Sequence, residues 1–277
     1  MFRIVSKSRS FSDSRKGRFV LAANNLAGMT LAPALYRRSG IHGTIVHAIG
    51  TEIVTGVLHE GERLPGDQEL MARFQASRTA LREALKVLSS KGLIESRQRA
   101  GTRVRSRGDW DLLDVDVLSW HTPESITESF TADLVELREL IEPAAARLAA
   151  DRATSDDLTR IEAAYLRMEM AVDDYEAFYV ADVDFHLAVL NASHNQLVQR
   201  LAGIIGTVLG LSFGLQKQAR IPLRESLESH YDVFDGIRQR NRRAAERAMR
   251  ITIRRGRNTL SRSEERRVGK ECRSRWS

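Results

Sequence analysis

"LPGDQELMARFQASRTALREALKVLSSKGLIESRQRAGTRV", residues 64–104, decides how the first half of this chain folds. Pro65 and Gly66 interrupt any preceding helix, and Asp67 is placed to cap a short helix over 68–74. Ser77 is an N-cap residue for the next helix, whose buried face is Ala80, Leu81, Ala84, Leu85 and Leu88. Gly92 ends it. Two short strand-like runs then flank Arg99–Gly101, the pattern of a β-hairpin. Upstream, Ile45, Ile49, Ile53 and Val57 recur every fourth residue with Val46 and Val54 beside them, which predicts a helix from Ile41 to about His59. Three short helices and a hairpin make a winged helix-turn-helix. Its third helix would enter the DNA major groove by its N-terminus, where Ser77, Arg78, Thr79 and Arg82 sit. Arg97, Arg99 and Arg103 fall on the wing, where cations meet backbone or minor groove. Any one of these arginines taken alone is equally well a solvated surface charge.

Further along, the periodicity stays helical and strand alternation nearly disappears. Segments 132–153, 154–172, 175–192, 195–218, 223–239 and 242–260 predict a bundle of six or seven helices. The fold class is therefore mainly α: an N-terminal winged helix-turn-helix with a small β wing, and a C-terminal all-helical bundle. The expected organisation is a basic arm over 1–40, the DNA-binding unit over 41–105, a linker over 106–122, the bundle over 123–260 and a tail over 261–277. The arm is expected to be disordered or to precede a true start at Met29, although a transit peptide has the same Arg/Ser-rich, acid-poor composition. The tail is expected to be extraneous to the fold or disordered, and it contains Cys272, the chain's one cysteine.

Charge divides the same way. Residues 41–108 carry 11 basic and 7 acidic side chains, whereas residues 109–260 carry 18 and 25, so a mildly basic unit precedes an acidic one. One cysteine excludes a disulfide framework and suits a reducing compartment such as the cytoplasm. No apolar run is long enough to span a membrane. No nucleophile–histidine pair, positioned general base or glycine-rich phosphate loop emerges, so an enzyme is not expected.

In "YVADVDFHLAVL", residues 179–190, Asp182 and His186 share a helix face one turn apart, although Phe185, Val189 and Leu190 place this helix in a core. Such a pair can share one divalent cation, or it can be a plain hydrogen bond. His194, beside the turn residue Asn195, reads as structural.

Residues 64–104 resemble the DNA-binding domain of the GntR superfamily of bacterial regulators, with its LP-x-E-x-EL start, SR-x-x-x-REAL helix and G-x-G-x-x-V wing. Gly66–Asp67 replaces the family's Ala-Glu, and Gln68 stands where some relatives carry a DNA-contacting arginine. Arg78, Thr79 and Arg82 match contact positions, and Arg99 and Gly101 are the nearest wing-tip equivalents. Residues 41–260 as a whole resemble the FadR-type members, whose ligand domain is called FCD. That resemblance implies a metal site at Asp182, His186 and His230, with zinc the leading ion and nickel or manganese the alternatives. The family's fourth ligand, usually histidine, falls on Thr252 within "AMRITI", residues 248–253, which would leave three protein ligands. It also implies Arg138 as a carboxylate clamp, although a salt bridge, with Glu142 four residues on as the partner, accounts for an arginine there equally. Arg107, in the linker before Trp110, is a weaker candidate for touching the effector or relaying its presence to the DNA-binding unit, and Asn191 and Thr252 are candidate hydroxyl partners for a polyol acid. The implied partners are operator double-stranded DNA, a second copy in a homodimer, and a sugar-acid effector of the D-galactonate type that releases a repressor. An activator, a regulator answering another hydroxy or carboxylic acid, and a metal-dependent enzyme fused to a DNA-binding unit are the rival readings.

Overall fold

The computed structural model describes residues 36–37, 39–97, 101–122, 124–219 and 223–256, without the side chains of 97 and 214–219. Arg99, Pro123, the first 35 residues and the tail lie outside the described residues.

The first unit holds α1 (Gly40–Val54), α2 (Asp67–Phe74), α3 (Arg78–Ser90), β1 (Ile94–Arg97) and β2 (Gly101–Val104). The two strands form an antiparallel hairpin in register from Ile94 opposite Val104 to Arg97 opposite Gly101. A bridge between Arg63 and Arg103 adds a third extended segment, tied by Leu64 N–H to Thr102 O at 2.9 Å. Ile45, Ile49, Ile53, Leu70, Leu81, Leu88 and Leu93 fill one core. Ser77 caps α3, its Oγ accepting from Ala80 N–H at 3.2 Å. Two local expectations shift. α1 stops at Val54 rather than near His59, because Gly56 takes the left-handed conformation at φ +79° immediately after it. Asp67 is the first residue of α2 rather than its cap, and Gly66 precedes it without a capping side chain.

The second unit contains α5 (Glu128–Arg152), α6 (Ser155–Met170), α7 (Tyr175–Ala192), α8 (Gln196–Arg200), α9 (Ala202–Ala219), α10 (Arg224–Arg238) and a last helix, α11, over 242–256. The expected single helix over 195–218 is two. The chain tightens at Leu201, whose N–H donates to Val198 O, and α9 begins afresh. α7 is the central helix. Phe178, Phe185, Leu187, Val189 and Leu190 are buried on it, so it packs on every side rather than along one stripe. Alanines 145, 146, 149, 150, 181, 188 and 192 let its neighbours approach closely. Among the described residues no helix is long and apolar enough to cross a membrane.

Residues 106–122 are a packed strap. They form a 3₁₀ turn at Arg107–Asp109 and a short helix, α4 (Val115–Ser119), capped by Asp114. Trp110, Val117 and Trp120 join the winged-helix core, while Leu118 joins Phe130, Leu134 and Val208 of the bundle. Gly92 makes room for the strap. Its φ is +76°, and a Cβ there would lie 2.2 Å from the Asp109 carbonyl oxygen. Gly56 has a similar φ of +79° but open space around it. Gly56→Ala should therefore cost only the left-handed penalty of about 1–2 kcal/mol. Gly92→Ala carries that penalty plus a backbone collision, and should cost roughly 2 kcal/mol or more beyond it. Equal losses of unfolding free energy in urea would contradict this packing.

Candidate effector and DNA-binding sites

The bundle buries charge at its centre. Glu142 on α5 has no exposed surface, and His186 on α7 and His230 on α10 are each 1 % exposed. Arg138, one turn before Glu142, gives it an Nε hydrogen bond at 2.5 Å. On the other side of Glu142, its Oε2 lies 2.5 Å from His186 Nδ1, in poor alignment for a hydrogen bond. His230 Nδ1 lies 2.7 Å from the Ser226 carbonyl, to which it must donate. Both rings thus turn Nδ1 to an oxygen and Nε2 inward. The two Nε2 atoms are 3.3 Å apart, and Asp182 Oδ1 is 3.0 Å from one and 3.9 Å from the other.

Three donor atoms converge on that inner face. A proton between two of them, or one cation shared by all three, would hold them at such distances. A tetrahedral zinc with Zn–N of about 2.0–2.1 Å separates its ligand atoms by roughly 3.3–3.4 Å. The donor spacings of 3.0, 3.3 and 3.9 Å bracket that edge. Asp182, His186 and His230 could therefore hold a divalent ion, with Glu142 and the Ser226 carbonyl orienting the two rings behind it. Asp182 keeps 18 % exposure and is the member that solvent reaches.

The electrostatics are matched to charge. Burial opposes ionisation of Glu142, but Arg138 and His186 outweigh it and hold the pKa at about 2. Burial likewise opposes the Asp182 charge, and His230, His186 and Arg138 draw it below the usual carboxylate range. Tyr179, one turn before Asp182, is pushed upward chiefly by burial. Its hydroxyl reaches α9 at Gly210, where a Cβ would lie 2.7 Å from it.

Thr252 is buried on α11 and its Oγ1 donates to Ala248 O at 3.0 Å. Asn191 follows His186 on α7, and its buried Oδ1 has no partner among the described residues. Arg107 packs on the strap, its guanidinium 4.7 Å from the Phe130 ring centre and 3.5 Å from His121 Nε2. Sequence spacing links Glu142 to Arg138 alone. Its contact with His186 crosses between helices, and no spacing within one helix could reveal it.

On the winged helix, Ser77, Arg78, Thr79 and Arg82 stand exposed over the first turn of α3. Arg78 and Arg82 share one face at i,i+4 spacing. Arg97 pairs through its backbone with Gly101, whose φ of +78° opens β2. Arg103 turns back to donate to Gly61 O at 2.8 Å.

A winged helix strapped to a helical bundle with a charged interior is the construction of a ligand-responsive DNA-binding regulator. The chain belongs to the gntR family of bacterial regulatory proteins: residues 42–104 match the model of that family, and residues 133–255 match the FCD domain. Its homologues are transcriptional regulators, not enzymes. It is 38% identical over 207 residues to the galactonate operon transcriptional repressor of Escherichia coli strain K12, covering 74% of this chain and 90% of that protein. It is 32% identical to the putative L-lactate dehydrogenase operon regulatory protein of the same strain, covering 75% and 81%. The solved structure of Lar, which controls the expression of the Listeria monocytogenes agr system, superposes with a TM-score of 0.59. It covers 82% of this chain and 99% of its own at 17% identity, a likeness of fold alone.

Replacing Glu142 by Gln removes the partner of a buried guanidinium and should destabilise by about 3–5 kcal/mol at pH 7. A carboxyl whose folded pKa is depressed stabilises the fold above its ordinary pKa and loses that contribution as pH falls toward the folded value. For Glu142 the window runs from 4.5 down to about 2. The penalty of Glu142→Gln, read from urea unfolding, should therefore be full at neutral pH and shrink steadily through that window. A pH-independent penalty would show that Glu142 is not ionised in the fold.

Proposed function

We propose that this regulator represses genes of sugar-acid catabolism and releases its operator when an aldonate, D-galactonate or a close relative, binds the bundle. The similarity to the galactonate repressor over 90% of that protein carries the substrate class. In this reading Asp182, His186 and His230 hold a divalent metal, zinc first and nickel or manganese next. When bound, the metal supplies open positions for the acid's carboxylate and α-hydroxyl. Arg138 clamps the carboxylate, with Thr252, Asn191 and Arg107 as secondary contacts. Because both histidines are enclosed, an acid the size of an aldonate must open the packing around α7 and α10 to reach them. Binding is thereby tied to a change in the bundle, as differential affinity for two states requires. The protein acts in the cytoplasm as a homodimer, and its two α3 helices read a pseudo-palindromic operator. Ser77, Arg78, Thr79 and Arg82 make the groove contacts, and Arg97, Arg99 and Gly101 form the wing contacts.

The 32% identity to the putative L-lactate dehydrogenase operon regulator supports a second reading, in which the effector is a short 2-hydroxy acid. Both acids present the same chelating pair, and only the polyol tail differs.

The test uses the duplex that the full-length protein enriches from a randomised pool. D-Galactonate should weaken binding of that duplex by about 10–100-fold, a coupling of roughly 1–3 kcal/mol, while L-lactate should not. Release by L-lactate alone selects the second reading, and release by neither acid rejects both. Arg78→Ala should lose about 1–3 kcal/mol on the enriched duplex and leave random duplex unchanged. Equal losses on both would reduce Arg78 to a phosphate contact.

A further inference from the structure

Lys91 closes the recognition helix at the end opposite Ser77, Arg78 and Thr79. It is the C-cap of α3, and its side chain is 10% exposed. Its Nζ donates to both oxygens of Asp114 at 2.8 Å and to Asp116 Oδ2 at 2.6 Å. Both acids belong to the strap. Asp114 also caps α4 through Asp116 N–H and Val117 N–H, and Asp116 Oδ1 accepts from Tyr36 N–H at 2.8 Å. The strap is laid against the same corner of α3 by its backbone. Asp111 N–H donates to Lys91 O at 3.0 Å, and the chain at Asp109 passes over Gly92.

The strap's other side is seated on the bundle. Leu118 packs with Phe130, Leu134 and Val208, and His121 stacks on Phe130 at 5.0 Å between ring centres. The Arg107 guanidinium lies over the same Phe130 ring. One ammonium thus joins the end of the DNA-reading helix to the segment that rests on α5 and α9. Burial alone would lower the Lys91 pKa, but the two carboxylates raise it above its ordinary value, so the charge persists.

We propose that Lys91 is a positioning residue for operator recognition: held by Asp114 and Asp116, it fixes the angle between α3 and the strap seated on the effector bundle, and it makes no DNA contact. The inference rests on α3 being the reading helix. Removing the ammonium leaves a buried carboxylate, Asp116 at 7% exposure, facing Asp114 without a counter-charge. The strap then leaves its seat and the recognition helix loses its fixed bearing. A basic residue on a DNA-binding unit is ordinarily read as a phosphate contact. The two roles differ in salt dependence, because each phosphate contact contributes about 0.9 to the slope of log K against log salt.

Lys91→Met keeps the length and the apolar stem. Binding of the enriched duplex should fall about tenfold or more, with random-duplex affinity and the salt slope unchanged. Asp116→Asn, which lies outside the winged helix, should lose a similar factor, and the double variant should lose little more than either single. Far-UV circular dichroism checks that each variant is folded, and Asp116→Asn carries the test if Lys91→Met is not. Wild-type operator affinity in the folded variants, a slope reduced by about one, or additive losses would each overturn the proposal. Arg78→Ala run alongside separates the two failures. If it too leaves the operator-to-random ratio intact, the reading of α3 is at fault; if only the Lys91 and Asp116 variants do, the latch is.

Discussion

A carboxylate without exposed surface stands between a guanidinium and an imidazole, and the sensor half of the molecule is arranged to satisfy it. Glu142 alone would be intolerable at the centre of a bundle. Arg138, one turn back on α5, neutralises it, and His186 from α7 closes the other side. That arrangement fixes the rotation of α7, since His186 must face α5 through one nitrogen and the His230–Asp182 cluster through the other. Everything else on α7 is then free to be apolar, and it is: Phe185, Val189 and Leu190 are buried around the same helix. Replacing a whole buried ion pair by apolar groups is often neutral, while removing one partner is not.

A second buried charge cluster does the equivalent work at the joint. Lys91 with Asp114 and Asp116 holds the strap, and Trp120 lies against Gly50 of α1 while its Nε1 donates to His47. Both clusters join helices from different parts of the chain. His121, stacked on Phe130, has its pKa lowered to about 4 by burial first and by Arg107 second, so it enters the joint neutral.

The DNA-binding half was legible because its signals are local. A Pro-Gly break, the Ser77 cap and Gly92 each act within a few residues and the structure places them as read; of the five expected face residues Leu81, Ala84 and Leu88 are buried, while Ala80 and Leu85 are half-buried at its margin. The strap was not legible. "DWDLLDVDVLSW" carries four aspartates and no clean period, and its burial depends on a lysine some 23 residues upstream. At the candidate site, the Asp182–His186 pair was visible from i,i+4 spacing, and family likeness added His230. Spacing puts Glu142 one turn after Arg138, but its contact with His186 joins two helices and leaves no mark on the spacing within either. Arg107 and Asn191 were candidates by position: Arg107 lies over the Phe130 ring, and Asn191 on α7 has a buried oxygen without a partner among the described residues.

The most direct measurement is the melting temperature of the full chain, chelator-stripped and zinc-loaded, each with and without D-galactonate. Zinc should raise the midpoint of the stripped protein, and His186→Ala should abolish that rise. D-Galactonate at about 100 times its Kd should then add roughly 2.7 kcal/mol, a shift of several degrees, in the loaded sample only. An equal galactonate shift in both samples would assign the carboxylate to Arg138 without a metal and contradict the chelate centred on Asp182, His186 and His230.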